Sequence, residues 1–164
     1  MTGFKKLISG LLKDAKHPAI LGAGSCLKAD DAAGVMITDT LKERFGEKPG
    51  RFAVFSGGTA PECFTGEIKR FKPDLVLIID AADFKGKPGE VCSIDPAAVS
   101  GVSFSTHMLP LKVMLDYLNK EIGCRTAIIG IQPGNLEFGG EMTEEVKKTV
   151  NEIINEIALL LRMP

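Results

Sequence analysis

Five consecutive aliphatic residues, Leu75-Val-Leu-Ile-Ile79, run straight into Asp80. A strand apolar on both faces needs cover on both sides, which is the position of a central parallel strand in an α/β sheet. Four other segments read as its neighbours. Ala19 to Gly24 is a buried strand ending in glycines, and Arg51 to Phe55 is a second, ended by Gly57-Gly58. Glu90 to Ile94 and Thr126 to Ile131 complete the set. Helical spacing of apolar residues marks 3–15, 32–45, 61–71 and a helix from Pro110 to Lys120. Thr143 can cap a last helix, whose stripe runs from Val146 to Leu161. The link Lys85 to Gly89 is too short for a helical crossover, so the fourth strand is expected to be antiparallel. The predicted fold is an α/β three-layer sandwich: a five-stranded, mostly parallel sheet with one antiparallel strand, between helices. No repeat or linker divides residues 1–164, so one domain is expected.

Composition narrows the function classes. Lys+Arg 20 against Asp+Glu 21 leaves a net charge of -1, without the basic excess that phosphate neutralisation demands, so no nucleic-acid partner is expected. No apolar run approaches the ~20 residues of a membrane-spanning helix. Lys13 and Asp14 interrupt the first apolar stretch, which therefore does not read as a signal peptide; a cytoplasmic protein is expected. The cysteines at 26, 63, 92 and 124 form no C-x-x-C pair. Cys26 and Cys92 sit in or beside apolar stretches and are expected to be reduced, buried thiols.

Ligands in such folds bind beyond the carboxyl ends of the strands. The first strand delivers Asp30 and Asp31 there, the central strand ends in Asp80, and Thr106-His107 precedes the helix at Pro110. Asp31, Asp80 and His107 form a donor set suited to a divalent transition metal such as zinc or nickel, with a position left for water or substrate. Each has a plain alternative. Asp30 or Asp31 can cap the following helix, Asp80 can accept from loop amides, and His107 can be an ordinary helix-start residue. His17, in a turn before a strand, reads as structural. Gly22-Ala-Gly24 opens like a dinucleotide fingerprint, but Leu27 replaces the third glycine and two aspartates would face the pyrophosphate. A nucleotide- or cofactor-binding α/β domain is thus the competing reading.

The residues resemble the nickel–iron hydrogenase maturation endopeptidases from about Pro18 to the final helix. Gly24-Ser-Cys-Leu-Lys-Ala-Asp30-Asp31-Ala-Ala-Gly34 is similar to the family's first glycine-and-acid loop. Gly57-Gly-Thr-Ala-Pro-Glu62 resembles its second glycine motif, Ile78-Ile-Asp80-Ala its strand-end aspartate, and Thr106-His107-Met-Leu-Pro-Leu111 its histidine motif. Gly130-Ile-Gln-Pro133 is similar to a block strongest in the formate-hydrogenlyase and energy-converting branch.

The resemblance implies a twisted five-stranded sheet and a single, specific cut that removes a C-terminal extension from the hydrogenase large-subunit precursor after nickel insertion. It places the metal-binding and catalytic roles on Asp31, Asp80 and His107. The expected metal is nickel carried by the substrate, with the isolated protein possessing none of its own. Gly57, Gly58 and Thr59 are expected to offer backbone amides to the extended tail. A non-catalytic chaperone sensing nickel on the precursor is the second competing reading. Two departures stand out. Ala29 and Ala32 occupy positions where glycines commonly flank the acid pair, and residues 1–16 form an amphipathic helical extension absent from compact members.

Overall fold

The computed structural model describes residues 3–46, 50–95, 103–104 and 108–162. Helix α1 (Gly3–Leu12) precedes strand β1 (Pro18–Ala23). A tight turn at Ala29–Ala32 leads into α2 (Ala33–Phe45), followed by β2 (Ala53–Gly58). A second turn, Pro61–Phe64, leads into α3 (Thr65–Phe71) and β3 (Leu75–Asp83). Then come β4 (Val91–Ile94), β5 (Ser103–Phe104), α4 (Met108–Ile122), β6 (Arg125–Ile131) and α5 (Glu144–Arg162).

The sheet order is β2-β1-β3-β6-β4. The first four of these strands are parallel, and β4 runs antiparallel along β6 at the edge. The expected α/β sandwich and its single reversed strand in the main sheet are therefore present. Alternate residues of β3 face two separate cores. Leu75, Leu77 and Ile79 pack with α1, α2 and α5, while Val76, Ile78 and Ala82 pack with α3 and α4. This period-two division explains the unbroken apolar run: both faces of the strand are covered.

Three boundaries differ from the sequence reading. Helix α1 stops at Leu12, short of 15, because the chain turns there and the Lys16 and His17 amides donate to the Asp74 carboxylate at 2.6 and 3.0 Å. Strand β3 continues to Asp83, so Asp80 lies within the strand and not at its end. The reason is pairing: β1 leaves β3 after Gly22↔Ile79, but β6 stays alongside through Asp80↔Gly130 and Ala81↔Ile131. The short β5, unforeseen, pairs antiparallel with Ala82 and Asp83.

Helix α2 sits close on the carboxyl ends of β1 and β3. A Cβ on Gly34 would fall 2.2 Å from the Ile79 carbonyl oxygen and 2.4 Å from that of Ala23, so only glycine permits this approach. The expected burial of the thiols is corrected. Cys26 is exposed in its loop, and Cys92, on edge strand β4, is half-buried against the core beneath α3 and α4; Cys124 is the buried one, and all four are free. His17 is structural as read, stacked on Phe71 at 3.8 Å with Nδ1 3.1 Å from the Lys72 carbonyl oxygen.

Candidate active site

Parallel neighbours finish at the same end of a sheet, so β1 and β3 deliver their C-terminal residues to one rim. Beyond Ala23 the chain turns at Gly24, where φ is +128° and a Cβ would lie 1.8 Å from the Asp31 carbonyl oxygen. The Gly24 amide donates to the Gly58 carbonyl at 2.9 Å, tying this turn to the end of β2. Ala29 takes φ +44°, the left-handed conformation that the glycine-to-alanine departure put at issue, whereas Ala32 is ordinary right-handed helix. A left-handed alanine costs roughly 1 kcal/mol, and here it is held in a buried turn directly before the acid pair.

The two acids of that pair have opposite environments. Asp30, 0% exposed, accepts from the Gly134, Asn135 and Thr143 amides at 2.7, 2.8 and 2.7 Å. The Thr143 hydroxyl also donates to it, at 3.0 Å from Oδ2. Asp30 therefore fastens the 133–143 segment to the first loop. Thr143, expected as a helix cap, spends its hydroxyl on this carboxylate.

Asp31, 2% exposed, has only one oxygen so engaged. Its Oδ2 accepts from the Ser25 amide at 2.9 Å, while Oδ1 is buried with no hydrogen-bond partner among the described residues. An unmatched buried carboxylate oxygen is costly, so this atom calls for a partner such as a water, an ion or a substrate group.

Asp80 is 0% exposed. By alternation along β3 it lies on the same face as Ile78 and Ala82, the α4 side. His107 lies outside the described residues. The elements flanking it do meet this rim: β5 pairs with Ala82 and Asp83, and α4, which precedes the parallel β6, starts at the sheet's carboxyl end. Among the described residues no group of three His, Cys, Asp or Glu side chains can hold a metal. Of the three predicted ligands, Asp31 lies in the turn between β1 and α2, and Asp80 lies inside β3, one residue beyond the last β1–β3 pair.

Gly57, Gly58 and Thr59 close the rim on the β2 side. The β1–β2 register slips between Gly22 and Ala23, so that Ala23 pairs with Gly58 and Gly57 is the extra residue of a bulge. Gly57 is buried, Gly58 partly exposed and Thr59 exposed at the open edge of the sheet.

Gln132 had no assigned role in the sequence reading. Its Oε1 accepts from the Phe84 and Gly86 amides, each at 3.0 Å, and its Nε2 donates to Asp83 Oδ1 at 3.2 Å and the Pro133 carbonyl at 3.2 Å. It locks the end of β3 to the end of β6. Its place in the block Gly130-Ile-Gln-Pro133, after an apolar strand and before proline, was the available signal. The Lys85 ammonium and amide, with Gln132, hold the half-buried Asp83 carboxyl at a pKa of about 2.

Residues 35–159 match the family model HycI, hydrogenase maturation protease. The chain belongs to the hydrogenase maturation protease family. It is accordingly a peptide-bond hydrolase by family. It is 33% identical over 140 residues to the hydrogenase 3 maturation protease of Escherichia coli, covering 84% of this chain and 86% of that protein. A protein of Methanocaldococcus jannaschii, named provisionally as a hydrogenase maturation protease, is 36% identical over 158 residues, 93% of each chain. The crystal structure of the maturation protease HycI from Thermococcus kodakarensis superposes with a TM-score of 0.86 at 32% identity, over 96% of this chain and 99% of that one. Among the described residues no helix is long and apolar enough to cross a membrane.

Proposed function

We propose that this chain cuts a C-terminal extension from a nickel–iron hydrogenase large-subunit precursor once that precursor has received nickel. The observation that carries the reading is the half-anchored carboxylate of Asp31: one oxygen oriented by the Ser25 amide, the other buried and unmatched. A carboxylate fixed through one oxygen by a backbone donor is the arrangement of an oriented metal ligand. Asp80 and His107 are its proposed companions, and the ion they meet is the nickel held by the substrate. The two acids then act as a test of loading. An empty precursor brings no cation to offset their charge and docks poorly.

Once docked, the precursor lays its tail along the rim. The proposed seat is the sheet edge at the end of β2, where Gly57, Gly58 and Thr59 offer backbone amides to an extended peptide. Water adds to the scissile carbonyl, the C–N bond breaks, and the proton given up by water ends on the departing amine. The carboxylates at the rim are the acceptors through which that proton passes, and nickel supplies Lewis-acid polarisation there. The substrate is a newly made, unfinished enzyme, so the proposed place of action is the cytoplasm.

Intact mass spectrometry of a large-subunit precursor, nickel-loaded or nickel-free, tests this after incubation with the protein. The expected result is loss of one defined C-terminal peptide from the loaded form alone. An unchanged mass, or equal cutting of both forms, contradicts the proposal.

A further inference from the structure

The first loop and the 133–143 segment are joined by more than Asp30. The Gly139 amide donates to the Leu27 carbonyl at 2.8 Å, and the Asp30 amide to the Asn135 carbonyl at 3.0 Å. Inside the second segment, the Glu137 amide donates to Asn135 Oδ1 at 2.9 Å and the Gly140 amide to the Glu137 carbonyl at 3.1 Å. The two loops form one braced unit. Yet the large side chains it carries face solvent: Leu27 is 62% exposed, Leu136 44% and Phe138 75%. Single exposed apolar residues are ordinary, but three carried on two hydrogen-bonded loops invite a reason. Loops held this firmly have no folding reason to display them. They also lose little entropy when a partner arrives.

The ridge is continuous with the proposed site. The Leu27 amide donates to Ser25 Oγ at 3.3 Å, and the Ser25 amide is the donor that orients Asp31. Leu27 is thus two hydrogen bonds from Asp31, next to where the proposed function docks a cation-bearing protein. We propose that Leu27, Leu136 and Phe138 form an apolar lip that recognises a non-polar surface of the substrate protein next to its metal site, and so set substrate specificity. The inference rests on the function proposed above. The lip supplies ground-state binding, distinct from the chemistry at Asp31.

The test is steady-state processing of the nickel-loaded precursor by wild type, by the triple variant Leu27→Ser/Leu136→Ser/Phe138→Ser, and by Phe138→Leu. The triple variant is expected to raise KM at least about tenfold with kcat within about twofold, as loss of a few apolar anchors does. Phe138→Leu should keep KM near wild type. Thermal melting should not change, because these side chains are exposed in the folded state. An unaltered KM in the triple variant overturns the lip while leaving the proposed function standing. Failure of wild type to cut overturns that function, and the lip with it. Self-association of wild type, abolished in a triple variant whose KM is unaltered, would assign the ridge to a second copy of the chain and also overturn the proposal.

Discussion

Asp30 and Asp31 are adjacent in the chain and equally hidden from solvent, yet they do different work. Asp30 is saturated: three backbone amides and a hydroxyl converge on it from a segment more than a hundred residues away. Asp31 is kept half-satisfied, its second oxygen without a partner among the described residues. The contrast separates an acid that ties two loops together from the acid proposed above as a ligand. Burial and charge alone would not distinguish them; the count of donors does.

The comparison can be broken first at Asp30. Asp30→Ala removes the acceptor for three amides, and unfolding in denaturant should show a loss of about 2–4 kcal/mol. A change below the error of the midpoint would mean that water serves these amides equally well. Gly24→Ala tests whether the main chain around Asp31 is held in place. Its Cβ would meet the Asp31 carbonyl at 1.8 Å, so the acid must shift. Precursor processing should fall by about 10²-fold, the cost of a misplacement near 1 Å, with unaltered processing showing that the loop relaxes at no expense. Ala29→Gly works in the opposite direction. Relief of the left-handed alanine should raise stability by about 0.5–1 kcal/mol, after allowance for the looser unfolded chain. A loss would mean that φ +44° is not retained in solution.

The smallest effect expected is in pH dependence. The Asp83 carboxyl is held at about 2, below its usual 3.8, first by the Lys85 ammonium. A depressed folded-state pKa contributes stability that is complete above the unfolded value and is lost as pH falls through the folded one. Asp83→Asn should therefore flatten stability against pH between about 4 and 2 and leave it unchanged in shape above 5. Identical acid limbs in variant and wild type would remove the interaction.

Much of this architecture was legible in the chain. Strands buried on both faces announce themselves, and the short Lys85–Gly89 link correctly required a reversed strand. That the loop carrying Asp31 leaves β1 at the end where β3 runs past it followed from topology, because parallel neighbours share an end. What stayed hidden was set by distant partners. Nothing local marks β3 as continuing through Asp80 to Asp83, since that extension depends on β6 beside it. Capping was the plain alternative for both Asp30 and Asp31, and the clamp of the folded 133–143 segment on Asp30 was not legible. Gln132 looked like a polar residue after a strand, and its clamp on residues 83–86 exists only in three dimensions. Topology and the family's histidine motif both pointed to His107; it lies outside the described residues, and its role is carried by the proposal.

The most direct test of the central claim is the rate of C-terminal peptide release from a nickel-loaded precursor by Asp31→Asn. The amide keeps an acceptor for the Ser25 donor but removes the charge. The account predicts a fall of about 10³-fold or more, of order 4 kcal/mol in the barrier, in a protein whose unfolding midpoint is unaltered or higher. Release at the wild-type rate would show that the unmatched oxygen of Asp31 takes no part in the reaction.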